Sequence, residues 1–364
     1  MIVISLLYIP LQYFQFLCIT VGGKKLKTAQ PDIFSEKRFG ATLGKKISYL
    51  DWWLRRIKAL KGYEEEAQKI YDITRTCYKA GSWTILKLAL LTHYFDVYTR
   101  IIKSWYKQAF YVDLCAGCGL NQIEDTGDVV LGSALLADKV PRLNKKFDQL
   151  FLIEQDRGYI EALIKIFQNQ QNQNVRIIHG DSNNLITRVL NEIEGQEQSH
   201  FLTFIDPEAA EISWQTVDAL LRTRGDIIIN YMCASIKRIW GKARKGDENS
   251  INIMNRFFGD DSWKAPNVRD SEDLFNVYFK KIREHKEMSI PVIVRGPGSF
   301  HYHIIFAVRK TQGTQGWLKA IIEAKEKVEK ASHKDAEEFL LIYSRKQKTL
   351  NYKSEKSTLD AYMF

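Results

Sequence analysis

A glycine-rich turn after an apolar stretch is the first place in this sequence where the residue types suggest chemistry. It reads Asp113-Leu-Cys-Ala-Gly-Cys-Gly119, with the acid inside the end of the apolar stretch. Glycines let the backbone approach a ligand closely, and an acid at the carboxyl end of a strand can hold a hydroxyl or a positive charge. Because no third glycine follows, the spacing suits S-adenosylmethionine better than a dinucleotide. The predicted cofactor-binding residues here are Asp113, Ala116, Gly117 and Gly119.

Two further acids follow the next two apolar stretches. Glu154 ends Phe151-Leu-Ile-Glu154, where a carboxylate can accept hydrogen bonds from ribose hydroxyls. Asp181, in His179-Gly-Asp181, stands where an acid or its neighbouring backbone can bind an adenine amino group. Parallel strands open their carboxyl ends on one edge of a sheet, so these acids and Asp113 would line one cofactor pocket. The alternative is that Glu154 and Asp181 are solvated turn residues.

An Asp-Pro pair marks a candidate catalytic position. Phe204-Ile-Asp206-Pro207 stands where amino-methyltransferases carry Asp or Asn followed by Pro-Pro and an aromatic residue. In those enzymes the acid or amide accepts a hydrogen bond from the target amine, and the aromatic ring stacks on a flipped base. Asp206 and Pro207 are therefore the predicted catalytic residues. Since Glu208-Ala209 replaces the second proline and the aromatic residue, Trp214 or Tyr231 would have to supply the stacking face.

A basic run with one aromatic residue follows Tyr231. Basic side chains mixed with an aromatic ring can grip phosphates and stack on a base, and the run lies just beyond the fifth predicted strand. The other interpretation is a solvated loop. The predicted nucleic-acid contacts are Lys237, Arg238, Trp240, Lys242 and Arg244.

The elements that must position these residues alternate between short β-branched runs and helical stretches. That alternation is typical of a parallel sheet with helices on both faces. Five strands are predicted, over Phe110 to Leu114, Gln149 to Glu154, Val175 to His179, Phe201 to Asp206 and Asp226 to Tyr231. Pro291 to Arg295 and Tyr302 to Val308 must form an antiparallel hairpin, because Gly296-Pro297-Gly298 is too short for a crossover. Five alternating strands and a terminal hairpin predict an α/β, Rossmann-like methyltransferase fold.

Further segments are predicted before and after this domain. Apolar residues at helical spacing predict an all-helical lead-in from Ile47 to Trp105, and Trp317 to Val328 predicts a further helix. The predicted divisions are an apolar arm and linker at 1–46, the helical lead-in at 47–109, the methyltransferase-like domain at 110–312, a helical region at 313–349 and a tail at 350–364.

Charge and cysteine content limit the partners and the compartment. The chain has 53 Lys and Arg against 43 Asp and Glu, a net charge of +10, which favours an anionic partner such as nucleic acid, although many basic proteins bind none. Its five scattered cysteines, with no second Cys-x-x-Cys and no nearby His pair, argue against a disulfide framework or a four-cysteine zinc site and predict a reducing cytoplasm. Methyl transfer depends mostly on positioning, so no metal is expected. A redox role for Cys115 and Cys118 is the weaker interpretation.

The first 23 residues carry no charge and are followed by Lys24, Lys25 and Lys27, so their length would allow a membrane span. Pro10 and two glutamines interrupt the run, and no basic start or Ala-x-Ala site identifies a signal peptide. We expect an upstream start codon or a buried arm rather than a membrane anchor.

These motifs, taken in order, resemble the three-Cys-motif partner (TcmP) family of methyltransferase-like proteins. The resemblance spans about Ser82 to Trp317 and rests on Trp83, Lys87 and Tyr94 with the segments Tyr111-Val-Asp-Leu-Cys-Ala-Gly-Cys-Gly, Leu131-Gly-Ser133, Phe151-Leu-Ile-Glu, His179-Gly-Asp, Phe204-Ile-Asp-Pro and Tyr302-His-Ile-Ile-Phe-Ala. A more distant similarity is to bacterial ribosomal-RNA adenine N6-methyltransferases. The resemblance implies a methyltransferase-like fold and, in many members, association with a separate protein that bears the three-cysteine motif.

The chain departs from the family pattern at three places. The family usually has Phe and Pro at Cys115 and Cys118, Pro at Ala134, and Asp-Pro-Phe-Gly where this chain has Asp206-Pro-Glu-Ala209. The last departure concerns the predicted catalytic segment. It leaves two functions open, a methyltransferase acting on nucleic acid and a catalytically inactive adaptor of the same fold.

The last residues resemble the short peptide by which archaeal DNA-processing proteins bind the PCNA sliding clamp. Such a peptide forms one helical turn that drops two side chains into an apolar pocket. A basic residue replaces the usual glutamine at Lys356, and Met363 replaces an aromatic residue. The predicted clamp-binding residues are Thr358, Leu359, Asp360, Tyr362 and Met363.

Overall fold

The computed structural model describes residues 48–170, 172–309 and 314–344, and of residues 314 and 315 only the backbone. Those from Ser48 onward belong to one compact unit. The predicted arm at 1–46 and the predicted clamp-binding tail at 350–364 lie outside the described residues. No helix in the described ranges is both long and apolar enough to cross a membrane.

Twelve α-helices and ten strands make up the described chain. The helices are α1 (Tyr49–Lys61), α2 (Glu64–Thr74), α3 (Thr84–Ile102), α4 (Ser133–Lys139), α5 (Arg157–Asn169), α6 (Ser182–Glu194), α7 (Trp214–Arg222), α8 (Cys233–Ala243), α9 (Glu248–Phe258), α10 (Ser271–His285), α11 (Thr314–Val328) and α12 (His333–Tyr343). The strands are β1 (Tyr78–Ala80), β2 (Gln108–Asp113), β3 (Leu120–Ile123), β4 (Val129–Leu131), β5 (Gln149–Glu154), β6 (Val175–His179), β7 (Ser199–Ile205), β8 (Asp226–Tyr231), β9 (Ile290–Arg295) and β10 (His301–Ala307).

A seven-stranded sheet in the order β6-β5-β2-β7-β8-β10-β9 forms the centre of the molecule. Its first five strands are parallel, and β10 runs antiparallel between β8 and β9. A parallel sheet that ends in an antiparallel hairpin is the methyltransferase form of the Rossmann fold, so the predicted fold class is confirmed. All seven strands fall within two residues of their predicted bounds.

A second, three-stranded sheet was not predicted. Its order is β1-β3-β4, with β1 parallel to β3 and β3 antiparallel to β4. Because β1 lies between α2 and α3, the prediction of an all-helical lead-in is wrong at Tyr78–Ala80. A strand of three residues is too short to show the two-residue alternation on which the prediction depends.

Helices cover both faces of the large sheet and create two different environments. One face packs on α6 to α10, where apolar side chains such as Ile229 and Tyr231 meet Phe257 and Tyr278. On the other face Tyr94 of α3 contacts Phe306, and the Trp317 indole nitrogen donates to the Tyr94 hydroxyl at 2.8 Å. The predicted cofactor loop follows β2 at the edge where the parallel strands end.

Candidate functional site

The loop after β2 has the backbone shape that a nucleoside site needs. Gly117 and Gly119 have φ values of +61° and +83°, a region that disfavours residues with a β-carbon. The two positions differ in their surroundings. A β-carbon at Gly119 would meet Ile166, Leu135 and Leu163, whereas one at Gly117 would have nothing within 4 Å. Gly117 therefore presents bare backbone toward open space, and Gly119 allows close packing.

Asp113 is fully buried beneath this loop and is held by three donors. The Tyr111 hydroxyl and the Ser133 hydroxyl donate to its Oδ2 at 2.8 and 2.7 Å, and the Cys115 backbone N–H donates to its Oδ1 at 3.2 Å. Burial raises the pKa of Asp113 to about 6, although these hydrogen bonds oppose the shift. Asp113 therefore organises the loop from below, and Ser133, the first residue of α4, is part of the same arrangement.

Glu154 lies at the end of β5 and reaches across to the glycine loop. Its Oε2 accepts from the Gly117 backbone N–H at 2.8 Å. Its Oε1 accepts from the backbone N–H groups of Gln155 and Asp156 at 2.7 and 2.8 Å. Carboxylate oxygens have further lone pairs, so Glu154 can still accept from ribose hydroxyls while it keeps the loop in place.

Asp181 follows β6 and caps α6. Its Oδ1 accepts from the backbone and side-chain amides of Asn183, both at 2.9 Å. The Asn183 side chain also contacts the segment after β7, donating to the Glu211 carbonyl at 3.0 Å and accepting from the Ser213 backbone N–H at 2.8 Å. Asp181 is thus a helix cap that stands at the same sheet edge as Glu154, because β5 and β6 are adjacent and parallel.

Asp206 follows β7 and is half-buried between two donors. The Lys87 ammonium on α3 donates to its Oδ2 at 2.5 Å, and the Asn230 side chain on β8 donates to its Oδ1 at 2.6 Å. The Asn230 side-chain oxygen is buried and has no hydrogen-bond partner among the residues that the structure describes. Sequence reasoning placed Lys87 only within the family resemblance and did not assign it or Asn230 to the site.

These acids surround Cys115. Burial raises the pKa of its thiol well above the usual range, and the negative charges of Asp113, Asp206, Glu154 and Glu211 add to the shift in that order. Burial also raises the pKa of the Cys118 thiol. Both cysteines are free, and neither environment favours the thiolate that redox chemistry requires.

Tyr78 contributes to this edge from the small sheet. It hydrogen-bonds to Glu208, the residue that stands two positions after Asp206. Burial, followed by the charge of Glu208, raises the pKa of the Tyr78 phenol to about 12, so it stays a hydrogen-bond donor. The sequence analysis did not identify Tyr78, because a single sequence does not show which residue contacts another that is 130 positions away.

The two aromatic residues suggested as stacking faces do not fit that role. Tyr231 is 1% exposed and packs on Phe275 and Tyr278 in the helical core. The Trp214 ring packs against Tyr278 and has the Lys281 ammonium 4.4 Å from its centroid. The buried Tyr231 ring cannot stack on a base, which corrects that expectation, and the partly exposed Trp214 ring could do so only if Lys281 moved away.

The predicted nucleic-acid residues lie on α8 and the turn that follows it. Lys237, Arg238, Lys242 and Arg244 are all exposed, as phosphate contacts must be. Trp240 is 6% exposed and has the Arg244 guanidinium 4.9 Å from its ring centroid. The expectation that Trp240 stacks on a base is therefore corrected, because helical periodicity turns it into the core.

Comparison with known proteins supplies limited likenesses. No family model matches the chain, and no curated protein matches it. A DUF519 protein of Legionella pneumophila is similar in structure, with 14% identity, a TM-score of 0.41, and coverage of 65% of this chain and 91% of that one. An rRNA methylase from Streptococcus thermophilus has 9% identity, a TM-score of 0.31, and coverage of 59% and 95%. An O-methyltransferase from Streptomyces achromogenes, in complex with S-adenosylmethionine, has 11% identity, a TM-score of 0.33, and coverage of 60% and 79%.

The class of protein is defined by the fold. The chain is an α/β protein with a methyltransferase-type Rossmann sheet. Its polar residues converge at the carboxyl edge of the parallel strands, where proteins of open α/β sheets bind ligands.

Proposed function

We propose that this chain is an S-adenosylmethionine-dependent methyltransferase that acts on an amino group of a nucleic-acid base. The observation that carries the proposal is the hydrogen bond between Glu154 and the Gly117 backbone, which joins the ends of two adjacent parallel strands around open space. Asp113 supports the loop from below, and Asp206 stands at the end of the next strand.

The residues present fit the proposed cofactor. Bare backbone at Gly117 leaves room for a nucleoside, Glu154 can accept from its ribose hydroxyls, and Asp181 can accept from an adenine amino group through its second oxygen. The acids around Cys115 also suit a positively charged sulfonium. S-adenosylmethionine supplies an electrophilic methyl group on that sulfonium.

Asp206 is the group that would receive the target amine, and Asn230 would hold the Asp206 carboxylate in place. The amine lone pair would take the methyl group that the cofactor supplies, the sulfonium would leave as a neutral thioether, and the amine would lose one proton to solvent. An acceptor beside the amine orients that lone pair and stabilises the positive charge that develops on nitrogen. Asp206 keeps further lone pairs beside its bonds to Lys87 and Asn230, and these supply such an acceptor.

Membership of the three-Cys-motif partner family is part of the same proposal. It rests on the motif order of the sequence, and it would add a partner protein with a three-cysteine motif. The basic residues of α8 support nucleic acid as the substrate, since four cations stand on one helix and the turn after it. A sliding clamp is the proposed partner of the C-terminal tail.

The ion pair at Asp206 favours a second candidate function. Lys87 neutralises the acid at 2.5 Å, and Glu208-Ala209 replaces the proline and aromatic residue of amino-methyltransferases. In addition, Tyr231 is buried and Trp214 already carries Lys281 over its ring, so neither suggested stacking face stands open. Such a chain could bind nucleic acid and a protein partner without turnover. This second candidate is an inactive adaptor of the same fold.

Two measurements on the full chain test the proposal. Calorimetric titration with S-adenosylmethionine should show one site, with the dissociation constant raised about 10- to 100-fold in Glu154→Ala, because charge-assisted hydrogen bonds are lost. Glu161→Ala, an exposed acid on the helix that follows Glu154, is the matched control and should bind like the wild type. Transfer of labelled methyl groups to RNA or DNA should occur with wild type and be lost in Asp206→Ala. Absence of cofactor binding would overturn the proposal, and binding without transfer would favour the adaptor.

A further inference from the structure

A cysteine and two histidines meet on the opposite face of the sheet from Asp206. His301 and His303 are separated by one residue on β10, so both side chains point to the same face. Cys233 is the first residue of α8, which packs on that face of β10. Tyr302, between the two histidines, points to the other face, where burial and then the charge of Asp206 raise the pKa of its phenol.

His303 is a buried polar side chain that the protein leaves without partners. It is 2% exposed, and neither ring nitrogen has a hydrogen-bond partner in the described part of the chain. Its ring stacks on Phe275 with centroids 3.7 Å apart. A buried polar group without a partner is unfavourable, which calls for a group that the nitrogens bind.

The three side chains have the spacing of a metal site. One ligand atom of each, the Cys233 Sγ and a ring nitrogen of His301 and of His303, lies within 4.8 Å of the others. Tetrahedral zinc with bonds of about 2.0–2.3 Å holds its ligands roughly 3.3–3.8 Å apart, so small side-chain movements would bring them into range. The Glu272 carboxylate on α10 stands 3.9 Å from His303 Nε2 but is not within 4.8 Å of all three ligand atoms, so its exposed side chain would have to turn inward to become a fourth ligand.

We propose that Cys233, His301 and His303 bind one zinc ion, with the Glu272 side chain turning inward as the fourth ligand. One thiolate, two imidazoles and a carboxylate form a donor set that zinc accepts, and with Glu272 bound no open position is left, as in a structural site. Binding replaces the S–H bond of Cys233 with a Zn–S bond and releases one proton to solvent. The ion ties β10 to α8 and α10 and gives the orphaned imidazole its partner.

The site goes beyond methyl transfer and does not depend on it. It connects the strand beside β8 with the helix that begins two residues after β8 ends. Asn230, the partner of Asp206, lies near the end of β8. The zinc would therefore hold in place the part of the sheet that carries one side of the proposed acceptor site.

Metal titration of the untagged full chain, after removal of bound metal with a chelator, tests the proposal. Wild type should bind one Zn²⁺ in competition with a chromophoric chelator, and Co²⁺ as a probe should give the thiolate charge-transfer band and strong visible bands of a tetrahedral site. Cys233→Ala and His301→Gln should each raise the dissociation constant at least about 100-fold, and Glu272→Gln about tenfold. Cys118→Ala, another buried cysteine, is the control and should bind like the wild type.

His301 is the half-exposed member of the set, so its variant tests the site even if the buried substitutions prevent folding. The proposal is overturned if wild type fails to bind one equivalent of either ion. It is equally overturned if Cys233→Ala or His301→Gln retains wild-type affinity and the Co²⁺ spectrum of a tetrahedral thiolate site. S-adenosylmethionine binding is measured separately. Its presence or absence tests the proposed methyltransferase function and does not bear on whether the chain binds zinc.

Discussion

The ammonium of Lys87 lies 2.5 Å from Oδ2 of Asp206, although 119 residues separate them. Both side chains are less than one-fifth exposed. The contact joins α3 to the end of β7 and sets the charge of the proposed acceptor site.

Lys87→Met tests whether this ion pair positions Asp206 for transfer. We expect the methyl-transfer rate to fall about tenfold or more, because Asp206 loses the donor that fixes its orientation, while S-adenosylmethionine affinity stays within about twofold of wild type. Single-turnover transfer and calorimetry separate the two effects. Lys87→Arg should recover part of the rate, and an unchanged rate in Lys87→Met would contradict a positioning role.

Asp113 should impose a pH dependence on stability. Its folded-state pKa is raised to about 6, above the 3.8 of an ordinary Asp. The folded state therefore binds the proton more tightly, so the stabilising contribution is present below about pH 4, declines as the pH rises to about 6 and stays lost above it. Asp113→Asn removes this titration.

Denaturant unfolding at pH 4 and pH 7 measures the difference. The unfolding free energy of wild type minus that of Asp113→Asn should fall by about 2–3 kcal/mol between the two pH values. Taking the difference cancels the titration of other groups. A constant difference would show that the pKa of Asp113 is not raised.

Gly117 offers a test of the open space over the loop. Gly117→Ala places a methyl group there and forces alanine to φ +61°, at a cost of about 1 kcal/mol. Gly127→Ala is a matched control, since Gly127 has φ +74° and a β-carbon there would also have nothing within 4 Å. Both variants should lose similar stability in thermal unfolding, and only Gly117→Ala should weaken S-adenosylmethionine binding, by about tenfold or more. Equal affinities would place the cofactor elsewhere.

The exposed basic residues of α8 should contribute to nucleic-acid binding through their charge alone. Lys237→Gln combined with Lys242→Gln should weaken RNA or DNA binding and lower the slope of log affinity against log salt by about 2, since two phosphate contacts are lost. Fluorescence anisotropy over a salt series measures this. Lys165→Gln with Arg188→Gln, two exposed cations on α5 and α6, is the control pair. An unaltered slope in the α8 variant would remove this helix from the interface.

The C-terminal tail should act independently of the sheet. Deleting Ser357 to Phe364 should abolish co-elution with a sliding clamp in gel filtration and leave S-adenosylmethionine affinity unchanged, because none of the proposed cofactor residues lies in the tail. Leu359→Ala with Tyr362→Ala removes the two proposed anchors and should act like the deletion. Co-elution of the truncated chain would end the idea.

The large sheet could be predicted from sequence because its strands are continuous apolar runs. Buried parallel strands such as β5 and β8 need no partner to be recognised, and the short Gly296-Pro297-Gly298 connection fixes the antiparallel hairpin. That topology also predicted that the acids at the strand ends lie at one edge of the sheet. It could not predict their hydrogen bonds, since a contact such as that between Glu154 and the Gly117 backbone depends on how two loops pack.

Contacts between distant residues were the part that sequence could not supply. Lys87 and Asn230 meet Asp206 from different elements, and His303 meets Cys233 although 70 positions separate them. No His pair lies close to a cysteine along the sequence, so only the fold shows that Cys233 approaches His301 and His303. Trp240 was misjudged because composition, without the helical face, does not distinguish a packed indole from an exposed one.

The place of β10 inside the sheet has a consequence for synthesis on the ribosome. Although β8 is complete at Tyr231, the hydrogen-bonding groups along one of its sides stay unpaired until the chain has been extended through Ala307. Some 70 intervening residues must emerge first, so the nascent sheet passes through a stage with a bare apolar edge that invites aggregation. A messenger RNA truncated between the codons for Tyr231 and Ala307 would yield a chain without a complete β10, the strand that pairs with this edge of β8.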